Sequence, residues 1–430
     1  MTRPAMILPP DSGRSQIPHG VQDRFLVEAA RRRQAEAAVR QCFSSWGYQE
    51  VIPPTYEYYD NLAVGASGKL RQTMYRFFDQ QGRTLALRAD FTPQIARMAA
   101  TKLFDQPMPL RCSYVGSLFR HEEPQAGRKR EFTQAGVELI GADTPAADAE
   151  VVALAVAAME TLQLENFQIN LGQMGFFRAL TAEFPYEALS QIRDAIDHKD
   201  TERLGITLAE AGVVGRQHEL LSRLPDLVGT GQVLDEARAL SEGLPSGPAA
   251  IAALDRLEET YSLLHAYGAS EAVILDLSEV RGMDYYTGIT FRGVAQGLGW
   301  PVVSGGRYDD LIVDFGRPMP AVGFGLGIER ALLVQSKQLA PTPSISPHLL
   351  VRGCAHRGCL ALVGQLRQMG CQVETDVLGL ADAGLADYAG QRGITQTLRC
   401  TESGYLLSGM GGERALTEAE LLSEAKSWIT

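Results

Sequence analysis

Apolar spacing along the chain alternates between stretches of period 3.6 and stretches of period two. From about Arg24 to Ser45 the positions of Phe25, Ala29, Val39 and Phe43 predict a helix that Gly47 ends. Tyr48–Pro54 reads as a strand closed by Pro53 and Pro54. Two strand-like runs follow, Met74–Phe78 and Thr84–Arg88, joined by a turn at Asp79–Gly82. In the second run Leu85 and Leu87 share one face, so Arg88 falls on the other. Thr92 then reads as a helix N-cap with Pro93 at the first helical position. Strands are predicted at Arg111–Arg120 and Glu131–Leu139, and a helix at Asp148–Leu162.

From about Gly175 to His265 the pattern is almost wholly helical, with turns at Gly212–Gly215, Gly229–Gly231 and Leu244–Pro248. Strands resume at Ala272–Leu277, Met283–Arg292 and near Pro301–Val303. Strands, then helices, then strands imply an α+β core, residues 1–174 and 266–335, interrupted by a helical insertion, residues 175–265. Ser336–Pro347 is a proline- and serine-rich linker, residues 336–347. Residues 348–430 read as a small α/β domain with strand, helix and strand at about 349–352, 358–369 and 371–376.

Composition narrows the classes. At 430 residues the chain supports two or three domains, and its net charge of -11 argues against a surface built throughout to attract nucleic acid or an anionic membrane. No run reaches transmembrane length and the N-terminus carries no apolar signal core, so a cytoplasmic location without membrane association is expected. Six cysteines (42, 112, 354, 359, 371 and 400) scattered through a long chain suit a reducing compartment. Cys354–Cys359 encloses His356 and invites a metal reading, but the spacing matches no common zinc pattern. Ordinary thiols, no metal and no cofactor are the expectation.

Five segments carry candidate chemistry. On the strand from Glu131, the residues Phe132, Gln134, Gly136 and Glu138 share one face: an amide, a gap that would let a ligand approach the sheet, and a carboxylate. A polar strand face open to water would carry the same residues. Asp90 and Thr92 sit at a strand-to-helix junction, where a carboxylate could receive an ammonium group; an exposed acid beside an N-cap is the plainer account. In Val280–Gly288, Arg281 projects from a turn, with Tyr286 and Gly288 facing one way and Tyr285 and Thr287 the other. Ser304–Asp309 reads as a turn, and the alternating glycines of Ala321–Arg330 as a strand packed against something flat, running into a helix with Arg330 near its start.

Together these segments resemble the class II aminoacyl-tRNA synthetases, and specifically the histidyl-tRNA synthetase family, over roughly residues 17 to 335. Ile17–Asp23 looks like that family's N-terminal signature, Gly47–Pro54 like its dimer strand, Phe119–Glu138 and Ala321–Arg330 like its second and third class motifs. Arg281–Thr287 and Ser304–Asp309 look like its histidine-specific motifs. The resemblance implies an antiparallel-sheet core and histidine binding by Asp90, Thr92, Gln134, Glu138, Arg281, Tyr285 and Tyr286, with Arg281 on the family's catalytic arginine. It also implies ATP or phosphate contacts by Arg120, Arg128 and Arg330.

The chain departs from the synthetases in ways that reverse charge. Glu123 stands where they carry an arginine beside the triphosphate, a change worth about 1 kcal/mol per contact even at high dielectric. Asp90 and Phe91 replace a Glu-Gly pair. Residues 175–265 hold 8 Lys/Arg against 15 Asp/Glu, and residues 348–430 hold 7 against 9. Such surfaces repel RNA phosphates. These departures resemble a paralogous family, the regulatory subunits of ATP phosphoribosyltransferase, in Asp90–Arg97 and in Glu122–Leu139. That resemblance implies no catalysis by this chain and vestigial roles for Arg120, Arg128 and Arg330. It further implies a core homodimer within a hetero-oligomer, histidine as an effector, no tRNA, and a short-form ATP phosphoribosyltransferase catalytic subunit as partner. The last domain would be a degenerate anticodon-binding type. Survival of Arg120, Arg281 and Arg330 keeps the alternative of an active histidyl-tRNA synthetase.

Overall fold

A computed structural model describes residues 16–122, 129–280, 285–338, 346–354, 357–401, 404–409 and 412–429. The chain divides into two compact units, Met1–Pro341 and Thr342–Thr430.

The first unit is built on a nine-stranded sheet. Its strands are β1 (Gln49–Glu50), β5 (Leu110–Phe119), β6 (Glu131–Ile140), β7 (Phe167–Gln173), β8 (Val228–Gly229), β9 (Val273–Asp276), β10 (Ile289–Ala295), β11 (Val303–Arg307) and β12 (Ala321–Gly327). They lie in the order β1-β5-β6-β12-β11-β10-β7-β9-β8. Pairings are antiparallel except β1 with β5 and β7 with β9. A smaller sheet of β2 (Tyr56–Tyr58), β3 (Arg76–Phe78) and β4 (Thr84–Leu87), in the order β2-β4-β3, leads into the helix Thr92–Thr101.

The large sheet is covered on one face by the helices Leu26–Ser45 and Pro145–Thr161 and by the helical stretch between Met174 and Ala266. Pro145–Thr161 is apolar on nearly every side, and eleven of its residues are buried, as a helix wrapped by other elements must be. Thr144 caps it, accepting from the Ala147 N–H at 3.2 Å. On the opposite face the helix Thr92–Thr101 packs Ile95, Ala96 and Ala99 with Leu118, Tyr308 and Ile312. Among the described residues no helix is long and apolar enough to cross a membrane.

Four expectations are corrected. Of Tyr48–Pro54 only β1 is strand, because the carbonyls of Pro53 and Pro54 turn to the buried Arg88 guanidinium, at 2.9 and 3.5 Å. β7 was not foreseen, although Ile169 and Leu171 alternate with Gln168 and Asn170. Ser304–Asp309 is not a turn: β11 runs through it, paired on both sides, and Arg307 is buried against Asp148 at 2.7 Å. Thr92 is the first residue of its helix rather than the N-cap; Phe91 occupies that place.

The second unit carries a five-stranded sheet of β13 (Leu349–Val351), β14 (Val373–Thr375), β15 (Thr397–Thr401), β16 (Gly404–Gly409) and β17 (Gly412–Leu416), in the order β14-β13-β15-β16-β17. The helices Arg357–Gln368 and Glu418–Ala425 share a core with it, through Leu362, Leu366, Leu398 and Leu421.

Candidate functional site

The period of two on β6 decides which residues face a cavity. Ala135, Val137 and Leu139 enter the helix-side core, while Phe132, Gln134 and Glu138 line a cavity of about 370 Å³ on the other face. Register then explains the alternating glycines of β12. Gly323 lies opposite Glu138 and Gly327 opposite Gln134, with Gly325 between them. A Cβ on Gly323 would stand 1.8 Å from Glu138 Oε2, and one on Gly325 2.3 Å from Gln134 Nε2. The flat partner expected for this strand is therefore the Gln134 and Glu138 side chains themselves, laid across it.

Gly136 does not leave a gap for a ligand. It faces Tyr114 across the β5–β6 ladder, and a Cβ there would meet the Tyr114 hydroxyl oxygen at 2.3 Å. Tyr114 fills the space and stacks on Phe91, centroids 4.3 Å apart, which in turn lies under the Arg88 guanidinium at 4.4 Å. Phe91 is thus part of the cavity's foundation rather than a ring intruding on it.

Two acids sit in this setting. Glu138 is 1% exposed. It accepts a hydrogen bond from Thr92 Oγ1 at 2.9 Å and another from the Tyr308 hydroxyl at 2.5 Å. Burial pushes its carboxyl up to about 8; the two hydroxyl donors oppose that, and nearby Asp90 reinforces it. Asp90 is buried beside it, and its Oδ2 accepts from the Tyr285 hydroxyl at 3.2 Å. Burial raises Asp90 as well, against the pull of Arg120 and of the Thr92 and Phe91 N–H groups. Burial holds the phenols of Tyr114, Tyr285, Tyr286 and Tyr308 well above their ordinary value, so all four stay neutral. Such a site suits a small polar ligand carrying positive charge, whose arrival favours the ionised carboxylates.

Asp90, Thr92, Gln134, Glu138, Tyr285 and Tyr286 all line the one cavity, as do Arg120 and Arg330. Arg281 and Arg128, together with Glu123, lie outside the described residues. Tyr285 and Tyr286 do not point opposite ways: they precede β10 in irregular backbone, so both reach the cavity, with ring centroids 5.1 Å apart. Arg120 donates to the Ala89 carbonyl at 2.9 Å and lies over the Phe132 ring at 5.2 Å. Arg330 donates to the Pro301 carbonyl at 2.7 Å. Neighbouring Glu329 ties this helix to β6 and to the N-terminal segment, accepting from the Thr133 N–H at 2.7 Å and from Arg24 at 2.9 Å.

Sequence reasoning missed Tyr114 and Tyr308. Tyr114 had a signal: a large ring on the strand that pairs with Gly136. Tyr308 lay inside the segment Ser304–Asp309, but its role as a donor depends on where β11 and β6 fall in the sheet.

The comparisons agree with this construction. The family model described as histidyl-tRNA synthetase matches residues 20–331. A solved structure from Bacillus halodurans, described as an ATP phosphoribosyltransferase regulatory subunit/histidyl-tRNA synthetase, superposes with a TM-score of 0.78 at 30% identity. It covers 93% of this chain and 99% of that one. The fold is that of the histidyl-tRNA synthetase-like, class II synthetase proteins. The ATP phosphoribosyltransferase regulatory subunit of Moorella thermoacetica is 41% identical over 381 residues, 88% of this chain and 96% of its own. That of Symbiobacterium thermophilum is 41% identical over 391 residues, 90% and 97%. The chain belongs to the family of ATP phosphoribosyltransferase regulatory subunits, non-catalytic paralogues of histidyl-tRNA synthetase.

Proposed function

We propose that this chain is the regulatory partner of a short-form ATP phosphoribosyltransferase catalytic subunit, in the first step of histidine biosynthesis, and that it binds histidine as a feedback signal. The observation that carries the reading is the pair of buried acids, Asp90 and Glu138, in one cavity with neutral hydroxyl donors around them. Histidine offers an α-ammonium group and an imidazole, two groups able to donate to carboxylates. Gln134 and the tyrosines supply neutral hydrogen-bonding groups for the rest. Arg120 and Arg330 have main-chain carbonyl partners within the fold, which supports a vestigial reading of the ATP contacts.

Regulation requires that histidine favour one state of the complex over another, and the coupling is reciprocal. The test is co-purification with a short-form phosphoribosyltransferase, followed by turnover of ATP and phosphoribosyl pyrophosphate with and without histidine. Activity that needs this chain and falls with added histidine is expected. Charging of tRNA with histidine by the purified chain would overturn the reading, since the acidic surfaces of residues 175–265 and 348–430 oppose phosphate binding.

A further inference from the structure

The second unit holds a cluster of thiols that histidine binding does not use. Cys354, Cys359 and Cys400 bring their Sγ atoms within 4.8 Å of one another. Three separate elements deliver them. Cys354 follows β13, whose exit is held by a hydrogen bond from the Arg352 N–H to the Leu398 carbonyl at 2.9 Å. Cys359 lies in the first turn of the helix Arg357–Gln368 and shares a face with Leu362, Val363 and Leu366, all in the core of the unit. Cys400 lies two residues beyond buried Leu398 on β15, so it points to the face that this helix covers. Cys359 is 1% exposed, whereas Cys354 and Cys400 are only half-buried. The cluster is closed on the protein side and reachable from the other.

Tetrahedral zinc with sulfur ligands at about 2.3 Å sets neighbouring sulfurs about 3.8 Å apart. The three sulfurs here already lie within about 1 Å of that triangle, so side-chain adjustment suffices to close it. A disulfide would use two of the sulfurs and leave the third idle. The spacing of Cys354 and Cys359 alone matches no common zinc pattern; the ligand that completes the group, Cys400, comes from another strand. His356 lies outside the described residues.

We propose that Cys354, Cys359 and Cys400 form a zinc site with three thiolate ligands and a fourth position open to water or a ligand from solution. Three S–H bonds give way to three zinc–sulfur bonds, three protons pass to solvent, and the zinc with its thiolates carries one net negative charge. The site belongs to the second unit.

The test uses the full chain, reduced and freed of metal, titrated with cobalt(II) as a spectroscopic probe. One cobalt per chain is expected, with thiolate-to-metal charge transfer and the visible bands of a four-coordinate ion, displaced by one equivalent of zinc. Removing even an outer-sphere partner costs a metal site about tenfold in affinity, so Cys400→Ser should cost at least that and weaken the charge-transfer band. Cys371→Ser removes a buried thiol of the same unit that is outside the cluster and should change neither. Should Cys400→Ser not fold, Cys354→Ser reports the same loss from a half-buried position. No cobalt spectrum in the parent chain, or a spectrum unchanged in the cluster variant that folds, would overturn the proposal.

Discussion

Glu138→Gln separates binding from stability in a single residue. The carboxyl has an ordinary value of 4.5 and a folded value of about 8. A carboxyl raised by folding costs the folded state stability as pH climbs from the lower value to the higher, because the unfolded chain ionises first. Each pH unit in that window costs about 1.4 kcal/mol, so at pH 7 the penalty is about 3 kcal/mol. An amide of the same shape removes it. The amide oxygen can accept from Thr92 or Tyr308, and the other hydroxyl can accept from the amide nitrogen. Burying the amide takes back part of the gain, leaving the variant about 1–3 kcal/mol more stable at pH 7. At pH 4.5 only the cost of burying the amide remains, so the variant should be slightly less stable there; the balance should turn in its favour as pH rises, grow to about pH 8 and stay flat above. Chemical denaturation of both proteins across that range, without histidine, measures the curve. Histidine titrated by calorimetry at pH 7.5 should bind the parent chain and fail to bind the variant. Parallel stability curves for the two proteins between pH 5 and 8 would refute the buried, cation-free acid, and unchanged histidine affinity would refute the site.

Other perturbations follow from the same contacts. Tyr308→Phe deletes the 2.5 Å donor to Glu138, which pushes that carboxyl higher; histidine binding should weaken at pH 7 and recover partly at pH 8.5, read by calorimetry at both pH values. Gly323→Ala places a methyl group 1.8 Å from Glu138 Oε2, so histidine inhibition of the complex should be lost while far-ultraviolet circular dichroism is kept. Arg307→Ala leaves Asp148 buried with only Arg256 as a charged partner and should cost about 3–5 kcal/mol in urea unfolding; near-normal stability would show the pair to be dispensable.

Much of the site was legible because its signals are local. The face of β6 that carries Phe132, Gln134 and Glu138 follows from period two alone, and the alternate glycines of 321–327 announced a strand under close contact. The junction at Asp90–Thr92 was legible as a place where a helix begins, but not in its detail. Thr92 spends its hydroxyl on Glu138 instead of on its own helix, because β6 brings a buried acid within reach.

What the chain determined by itself is orientation: which residues of each strand look the same way, where helices begin, and which stretches carry acidic surface. What only the tertiary structure decided is company. β12 reaches β6 from far along the chain, and that register lays Glu138 and Gln134 over glycines rather than over water. Tyr114 fills the space at Gly136 that looked reserved for a ligand, and Tyr308 arrives as a donor to Glu138 from the turn after β11. Arg307, which read as part of a turn, is committed to Asp148. In the second unit Cys400 joins two thiols that looked idle. Periodicity fixes the direction of a side chain relative to its own backbone, whereas the group it meets is set by long-range pairing that no local pattern encodes.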